Sequence, residues 1–449
     1  MFQLLTLLLP LVSKVSADCQ MIAGNYYCSK TDAAIYSNVG FSGSYQDVTS
    51  MDEQSCVCSQ QPFSFGGALA PFDEELSVHF RGPLKLSQFA VYYPASSNSK
   101  RAVAEEDCDS VVAKPVHKHK RDVAVEVIEV TETVFIDENG NTVTASGTST
   151  SMSTPTPSNP SQVQSSQAPS QAPSQAPVSS SNKGTTTLSS TSKNTPSSSS
   201  SQAASSSAAP IQDGGDWSRV AYFSPGTASG CTFMNHQGGT AGSGVWSSCF
   251  GNSISFANSD GVTGAGSPQP LGDVTIKSGQ EYMIFSSTQC SANNAECGYY
   301  REGIPAYKGF GGNRKIFYFE FSMPSDTNGN GYNQDMPAIW LLNAKIPRTL
   351  QYGLSTCSCW ATGCGELDLF EVLSPGSDKM ITHIHDGQGG GTQDFFQRPT
   401  DGIFRAVVIF NASDKTIHLV QVDSAPAGGL SNDQVQQWLN KAGSAAALP

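Results

Sequence analysis

The chain reads as all-β. A C-terminal β-sandwich of the jelly-roll kind is expected, with a small Cys-containing, mainly β N-terminal domain and a disordered Ser/Thr-rich linker between them. Three observations predict this. Between residues 211 and 449, short alternating or β-branched apolar runs recur between Gly-rich turns such as Thr327-Asn-Gly-Asn-Gly331 and Gly387-Gln-Gly-Gly-Gly391. No sustained 3.6-residue period competes until Asn432 to Lys441, where Val435, Trp438 and Leu439 fit one short terminal helix. From about Thr144 to Pro210 the chain is almost all Ser, Thr, Pro, Ala and Gln, including three successive Ser-Gln-Ala-Pro units over Ser166 to Pro177. Such a segment buries too little apolar surface to offset its ordering entropy.

Taken in order, Met1 to Ala17 is a short apolar run ending in Val15-Ser16-Ala17, which reads as a secretory signal peptide (1–17) too short to span a bilayer. No other apolar run reaches membrane length, and no hydrophobic C-terminal tail suggests a lipid anchor. Residues 18–95 form the small N-terminal domain, with Cys19, Cys28, Cys56 and Cys58. Leu76, Val78 and Phe80 alternate, Gly82-Pro83 breaks, and Leu84 to Tyr92 resumes, a β pattern. Asp73, Glu74 and Glu75 read as a solvated strand start, and this domain carries no catalytic constellation. Residues 96–210 hold two dibasic pairs, Lys100-Arg101 and Lys120-Arg121, suited to a processing protease, then a Val/Ile/Thr run over 123–143 and the Ser/Thr/Pro-rich stalk. A stalk of this kind gives reach. Residues 211–449 form the large domain. Its strand candidates are 220–223, 282–286, 315–323, 338–342, 366–373, 380–385, 403–410 and 416–422.

Twelve cysteines in a secreted chain point to disulfides. Cys357-Ser-Cys359-Trp-Ala-Thr-Gly-Cys364 lacks a nearby His to complete zinc spacing, so a bridge is expected there, one that anchors the following strand. Asn411-Ala-Ser413 is a glycosylation sequon. The net charge of −13 disfavours nucleic acid or an anionic membrane as partner, whereas a neutral polysaccharide meets no such penalty.

The chemistry concentrates in Glu366-Leu-Asp-Leu-Phe-Glu371. Gly363 and Gly365 just upstream disfavour a helix. As a strand, the segment puts Glu366 and Asp368 on one face and Leu367 and Leu369 in a core. Glu371 has the wrong parity for that face, and a β-bulge near Phe370 would turn it back beside the other two. Three crowded carboxylates cannot all ionise near neutral pH. A protonated acid beside an ionised one is what glycoside hydrolysis uses. Trp340, in apolar surroundings, reads as core or as a sugar platform, and Trp360 is the better platform candidate. His383 and His385 alternate and so share a face, as structural residues or substrate contacts.

Met336-Pro-Ala-Ile-Trp-Leu-Leu342, the Glu366–Glu371 segment and Thr382-His-Ile-His385 together resemble the core of glycoside hydrolase family 16, the family of β-1,3-glucanases with an E-x-D-x-x-E strand. The overall layout resembles a fungal cell-wall glycosyl hydrolase family. The resemblance implies a retaining endo-β-1,3-glucanase (glucan endo-1,3-β-D-glucosidase) acting on wall β-glucan, with Glu366 as nucleophile, Glu371 as general acid/base and Asp368 orienting the nucleophile. No cofactor is implied. Family-16 relatives sometimes hold a structural calcium, but the oxygen-rich Asp326-Thr-Asn-Gly-Asn330 lacks complete calcium-loop spacing and reads as a turn, so no metal is expected. A transglycosylase using the same residues and a non-catalytic, glycan-binding wall protein are the alternatives. The location implied is extracellular, in the cell wall.

Overall fold

Strands from both sides of the Ser/Thr-rich stretch interleave in two face-to-face sheets. The computed structural model describes residues 19–95, 135–136, 142–143, 216–291, 297–446 and 448. The expected signal peptide, both dibasic pairs, Cys108 and the stalk lie outside the described residues. Within the 123–143 run, Phe135–Ile136 pairs with Thr142–Val143 in a short ladder.

The principal strands are β1 (Ala33–Tyr36), β2 (Gly43–Asp52), β3 (Val57–Phe65), β4 (Leu76–Arg81), β5 (Lys85–Pro94), β6 (Trp217–Ser224), β7 (Cys231–Asn235), β8 (Glu281–Ser286) and β9 (Arg314–Ser322). Those that follow are β10 (Ala338–Asn343), β11 (Glu366–Glu371), β12 (Lys379–His385), β13 (Phe404–Asn411) and β14 (Thr416–Gln421). Each of the eight strand candidates of the large domain coincides with one of these. Two short helices complete the set, α1 (Lys345–Arg348) and α2 (Asn432–Leu439).

Among the described residues, one sheet has nine strands and runs, over its main members, β6-β5-β9-β13-β14-β1. The other has ten, with β7-β8-β4-β10-β11-β12 at its centre. The fold class is the all-β sandwich expected. Composition separates 18–95 from 211–449, yet β4 lies between β8 and β10, and β5 between β6 and β9. Residues 1–101 and 202–449 accordingly form one compact unit.

The chain leaves this unit at the end of β5 and returns at the start of β6, its antiparallel neighbour. Trp217 pairs with Pro94, and the Ala95 amide donates to the Asp216 carbonyl at 2.8 Å. The stretch between is thus inserted at one point of a hairpin.

Alternation explains the core. Val78 and Phe80 of β4, Phe89 and Val91 of β5, Ile339 and Leu341 of β10, and Leu367 and Leu369 of β11 all meet between the sheets, essentially without exposure. Each such side chain contributes about 2–3 kcal/mol by its removal from water. The outer face of the nine-stranded sheet buries Tyr92, Trp217 and Ile316 under Val435 of α2. Ser431 caps that helix, its hydroxyl accepting from the Gln434 amide.

The outer face of the ten-stranded sheet is only partly covered. Tyr45 of the β2–β3 hairpin packs there with Ala338, Trp340, Leu342 and Ile346. Two disulfides tie the far end of that hairpin to distant segments, Cys56–Cys249 and Cys58–Cys357. Cys19–Cys28, Cys290–Cys297 and Cys359–Cys364 close local loops.

One expectation is corrected. Asp73, Glu74 and Glu75 are not a solvated strand start but half-buried partners of cations brought by β9 and α1. Arg348 pairs with Glu75 at 2.9 Å, and the Tyr45 hydroxyl donates to Glu74 at 2.8 Å. The Lys315 ammonium donates to the carbonyls of Phe72, Glu74 and Phe310.

Candidate active site

The carboxylate segment is an inner strand, β11, paired to β10 on one side and β12 on the other. Its register with β10 skips one residue: Ile339 faces Phe370 while Trp340 faces Asp368, leaving Leu369 as the extra residue. The pairing with β12 shifts between the same positions. This is the bulge that side-chain parity demands. Leu369 and Phe370 both enter the core, and Glu371 returns to the face of Glu366 and Asp368. Burial of these two apolar side chains pins the bulge, because a one-residue slip would expose them and bury Glu371.

Glu366, Asp368 and Glu371 line one cavity of about 260 Å³ with Arg81, Trp340, Tyr352 and Trp360. Register explains how distant residues converge. Glu371, Ala338, Arg81 and Glu281 stand in one row across β11, β10, β4 and β8. Asp368, Trp340 and His79 stand in the next.

Arg81 donates from Nη2 to Glu371 Oε1 at 3.2 Å and from Nε to the Met336 carbonyl at 2.8 Å. Trp340 is 5 % exposed, stacked on His79 at 5.2 Å with Arg81 over its ring, so it is both buried and part of the cavity wall. Trp360 is 49 % exposed and donates its indole N–H to Glu366.

Trp360 is held by the segment just before β11. The Cys359–Cys364 bridge brackets it, as expected for an anchor of the strand. Gly363 closes the turn at φ +89°, and a Cβ there would lie 2.7 Å from the Asp386 carbonyl.

His385 Nε2 meets Asp368 Oδ2 at 3.1 Å. His383 stacks on His385 at 5.5 Å with the rings 14° apart, so the two share a face. Neither His383 nor His385 lines the cavity; His385 acts on it through Asp368, and His383 backs that imidazole. Asn411 lies at the β13–β14 turn, its amide donating to Asp414.

The electrostatics follow from burial. Desolvation, reinforced by the Asp368 charge, pushes Glu366 up to about 7, against the Trp360 hydrogen bond. Desolvation also raises Asp368 to about 6, against the hydrogen bond from His385. Glu371 is raised by burial as well, and Arg81 opposes that rise. The hydrogen bond to Asp368 raises His385. One cluster of three acids therefore retains protons toward neutral pH, in the way that like charges sharing a buried site must.

Sequence reading missed Arg81, Glu281 and Tyr352. Tyr352 donates to Glu281 at 2.8 Å, and burial raises the Glu281 carboxyl. Glu281 directly precedes a strand candidate that local pattern did find, which was the only signal of it.

Comparison with known proteins shows the family. Residues 32–94 match the N-terminal domain, and residues 215–438 the C-terminal domain, of cell wall protein YJL171C/Tos1. A Saccharomyces cerevisiae protein named "Probable circularly permuted 1,3-beta-glucanase TOS1" is 64 % identical over 446 residues, 98 % of this chain and 96 % of that one. The chain belongs to the YJL171C/Tos1 cell wall protein family. A Candida albicans member of the same name is 53 % identical over 463 residues, covering 98 % and 97 % of the two chains. A Schizosaccharomyces pombe member, also named a probable circularly permuted 1,3-beta-glucanase, is 42 % identical over 468 residues, covering 91 % and 90 %. No solved structure matches. Among the described residues of this YJL171C/Tos1 family member, no helix is long and apolar enough to cross a membrane.

Proposed function

We propose that this protein is a secreted cell-wall glycosidase, an endo-β-1,3-glucanase that cleaves with retention. The observation that carries the reading is the bulged strand that gathers Glu366, Asp368 and Glu371 on one cavity wall beside an exposed indole. The names of its relatives as probable circularly permuted 1,3-β-glucanases supply the substrate class. The family-16 likeness of Glu366–Glu371 supplies the roles.

In the first step Glu371 gives its proton to the glycosidic oxygen as the C1–O bond breaks, and Glu366 forms a bond to C1. In the second, Glu371 takes a proton from water, whose oxygen attacks C1 and expels Glu366. Asp368, held by His385, keeps charge density beside the nucleophile. A sugar hydroxyl in place of water turns the same steps into transglycosylation.

One observation favours a second assignment. In the free site Arg81 stabilises the charged form of Glu371, while Glu366 is the acid pushed to about 7. By that criterion alone Glu371 is the nucleophile and Glu366 the acid. A 2-deoxy-2-fluoro-glucosyl donor, which traps the covalent intermediate, decides between them by mass spectrometry of the labelled peptide.

The experiment for the function itself is product analysis on β-1,3-gluco-oligosaccharides. Shortened products from wild type that vanish in Glu366→Gln support hydrolysis, and longer products support transfer. Binding without any change in chain length would make this a structural wall protein and overturn the proposal.

A further inference from the structure

Beside the catalytic cavity lies a second hollow of about 750 Å³ on the same face of the ten-stranded sheet. The two share Arg81 and Tyr352, so they adjoin. The larger one extends from β8 toward the end of β7 and the short strand Gly264–Ala265, away from β11. Among the described residues, the only charged ones in its lining are Arg81 and Glu281, and both have partners: Arg81 pairs with Glu371, and Glu281 accepts from Tyr352.

The rest of the wall is uncharged. Gln237, Thr240, Thr263, Gln280 and Asn333 line it with amide and hydroxyl groups. Thr240 accepts from Asn252, Thr263 donates to Asp260 and the Gln280 amide oxygen accepts from Lys277, which leaves the Gln280 amide nitrogen as a donor. His236 joins them as a neutral imidazole, since burial lowers it to about 4, and it is hydrogen-bonded to Gln351 at 3.0 Å. Tyr332 overhangs the hollow with 91 % of its surface exposed. The Tyr332 backbone is seated against Gly279, which has φ +72° and where a Cβ would lie 3.1 Å from the Tyr332 carbonyl. A seated backbone carrying an unburied aromatic ring is the arrangement of a platform rather than of a core residue.

We infer that this outer hollow is a chain-binding extension of the active site that holds several further glycosyl units of one uncharged, hydroxyl-rich polysaccharide. The chemistry selects the class. Amides and hydroxyls exchange hydrogen bonds with sugar hydroxyls, an exposed tyrosine stacks on the C–H face of a pyranose, and no free counter-charge there recognises a carboxylated or aminated polymer. Since the hollow is larger than the catalytic cavity, most of the binding surface lies on one side of the carboxylates. Recognition is therefore strongly dependent on chain length. This deepens the glucanase reading and rests on it for the identity of the sugar.

The test is binding rather than turnover. Affinities of Glu366→Gln for β-1,3-gluco-oligosaccharides of increasing length are measured by calorimetry, with and without Tyr332→Ala and Gln280→Ala added. The affinity is expected to rise with length in Glu366→Gln. The added substitutions should lower the long-to-short affinity ratio about tenfold, the loss of one stacked ring and one amide contact. A flat length profile, or an equal weakening at every length, overturns the inference. Equal binding of a carboxymethylated glucan overturns the assignment to uncharged chains. Tyr332 is exposed, and a melting curve for each variant separates misfolding from lost contact. If wild type cleaves nothing while length-dependent binding persists, the catalytic reading fails and this one stands.

Discussion

Replacing Glu366 by Gln should make the protein more stable at neutral pH while removing its chemistry. Burial and the Asp368 charge raise the Glu366 carboxyl from 4.5 to about 7. A folded pKa above the unfolded one means that the native state holds the proton more tightly. The associated stability is complete below about pH 4.5 and is lost as pH rises to about 7. At about 1.4 kcal/mol per unit, ionised Glu366 costs the fold about 3 kcal/mol above pH 7. Coupling to Asp368 spreads part of that cost, so about 2 kcal/mol is expected from the single change. The amide oxygen of Gln can still accept from Trp360, which keeps the local geometry. For a unit of this size the gain corresponds to a rise in Tm of about 3 °C. Thermal unfolding of both proteins at pH 4 and pH 7.5, at one scan rate, checks this. Curves that separate at pH 7.5 and coincide at pH 4 are expected. A Gln variant equally or less stable at pH 7.5 would refute the claim that the triad is held against repulsion and desolvation.

Other perturbations follow from the same geometry. Arg81→Met removes the cation that holds down Glu371, so with Glu371 as acid the alkaline limb of kcat/KM should move to higher pH; a pH–rate profile reads this. Deleting Leu369 makes the strand alternate regularly and leaves Glu371 on the face of Glu366 and Asp368, but it removes one fully buried leucine from the core and shortens the spacing of the acids. Tm should therefore fall and activity drop, read by thermal unfolding and product analysis. Replacing both Cys359 and Cys364 by Ser should cost about 2 kcal/mol and release Trp360 from Glu366, seen as a lower denaturation midpoint and a red-shifted tryptophan emission.

Local pattern made part of this molecule legible. Side-chain parity alone required the bulge in β11, because apolar Leu369 and Phe370 are adjacent between carboxylates that must share a face. The short strands and α2 were legible for the same reason, since each is set by its own alternation or period. What escaped was non-local. Arg81 sits beside Glu371 only because β4 enters the sheet between β8 and β10, and no residue near Arg81 records which strands flank it. Asp73 to Glu75 looked solvated because their partners, Lys315, Tyr45 and Arg348, come from three separate elements. Disulfide connectivity was hidden likewise: Cys56 and Cys58 bond to residues 193 and 299 positions away.

Those two long bridges meet the insertion point at Ala95 and Asp216 in a further consequence. Both span residues 96–215, as do the β5–β6 and β4–β8–β10 pairings. Hydrolysis of any peptide bond within that interval, including one after Lys100-Arg101 or Lys120-Arg121, would convert the protein into a covalently joined heterodimer of its own halves. Such a nicked molecule would migrate as one species on a non-reducing gel and as two after thiol treatment. Its smaller member would carry Arg81 and its larger member the carboxylates, so neither fragment alone would hold a complete site.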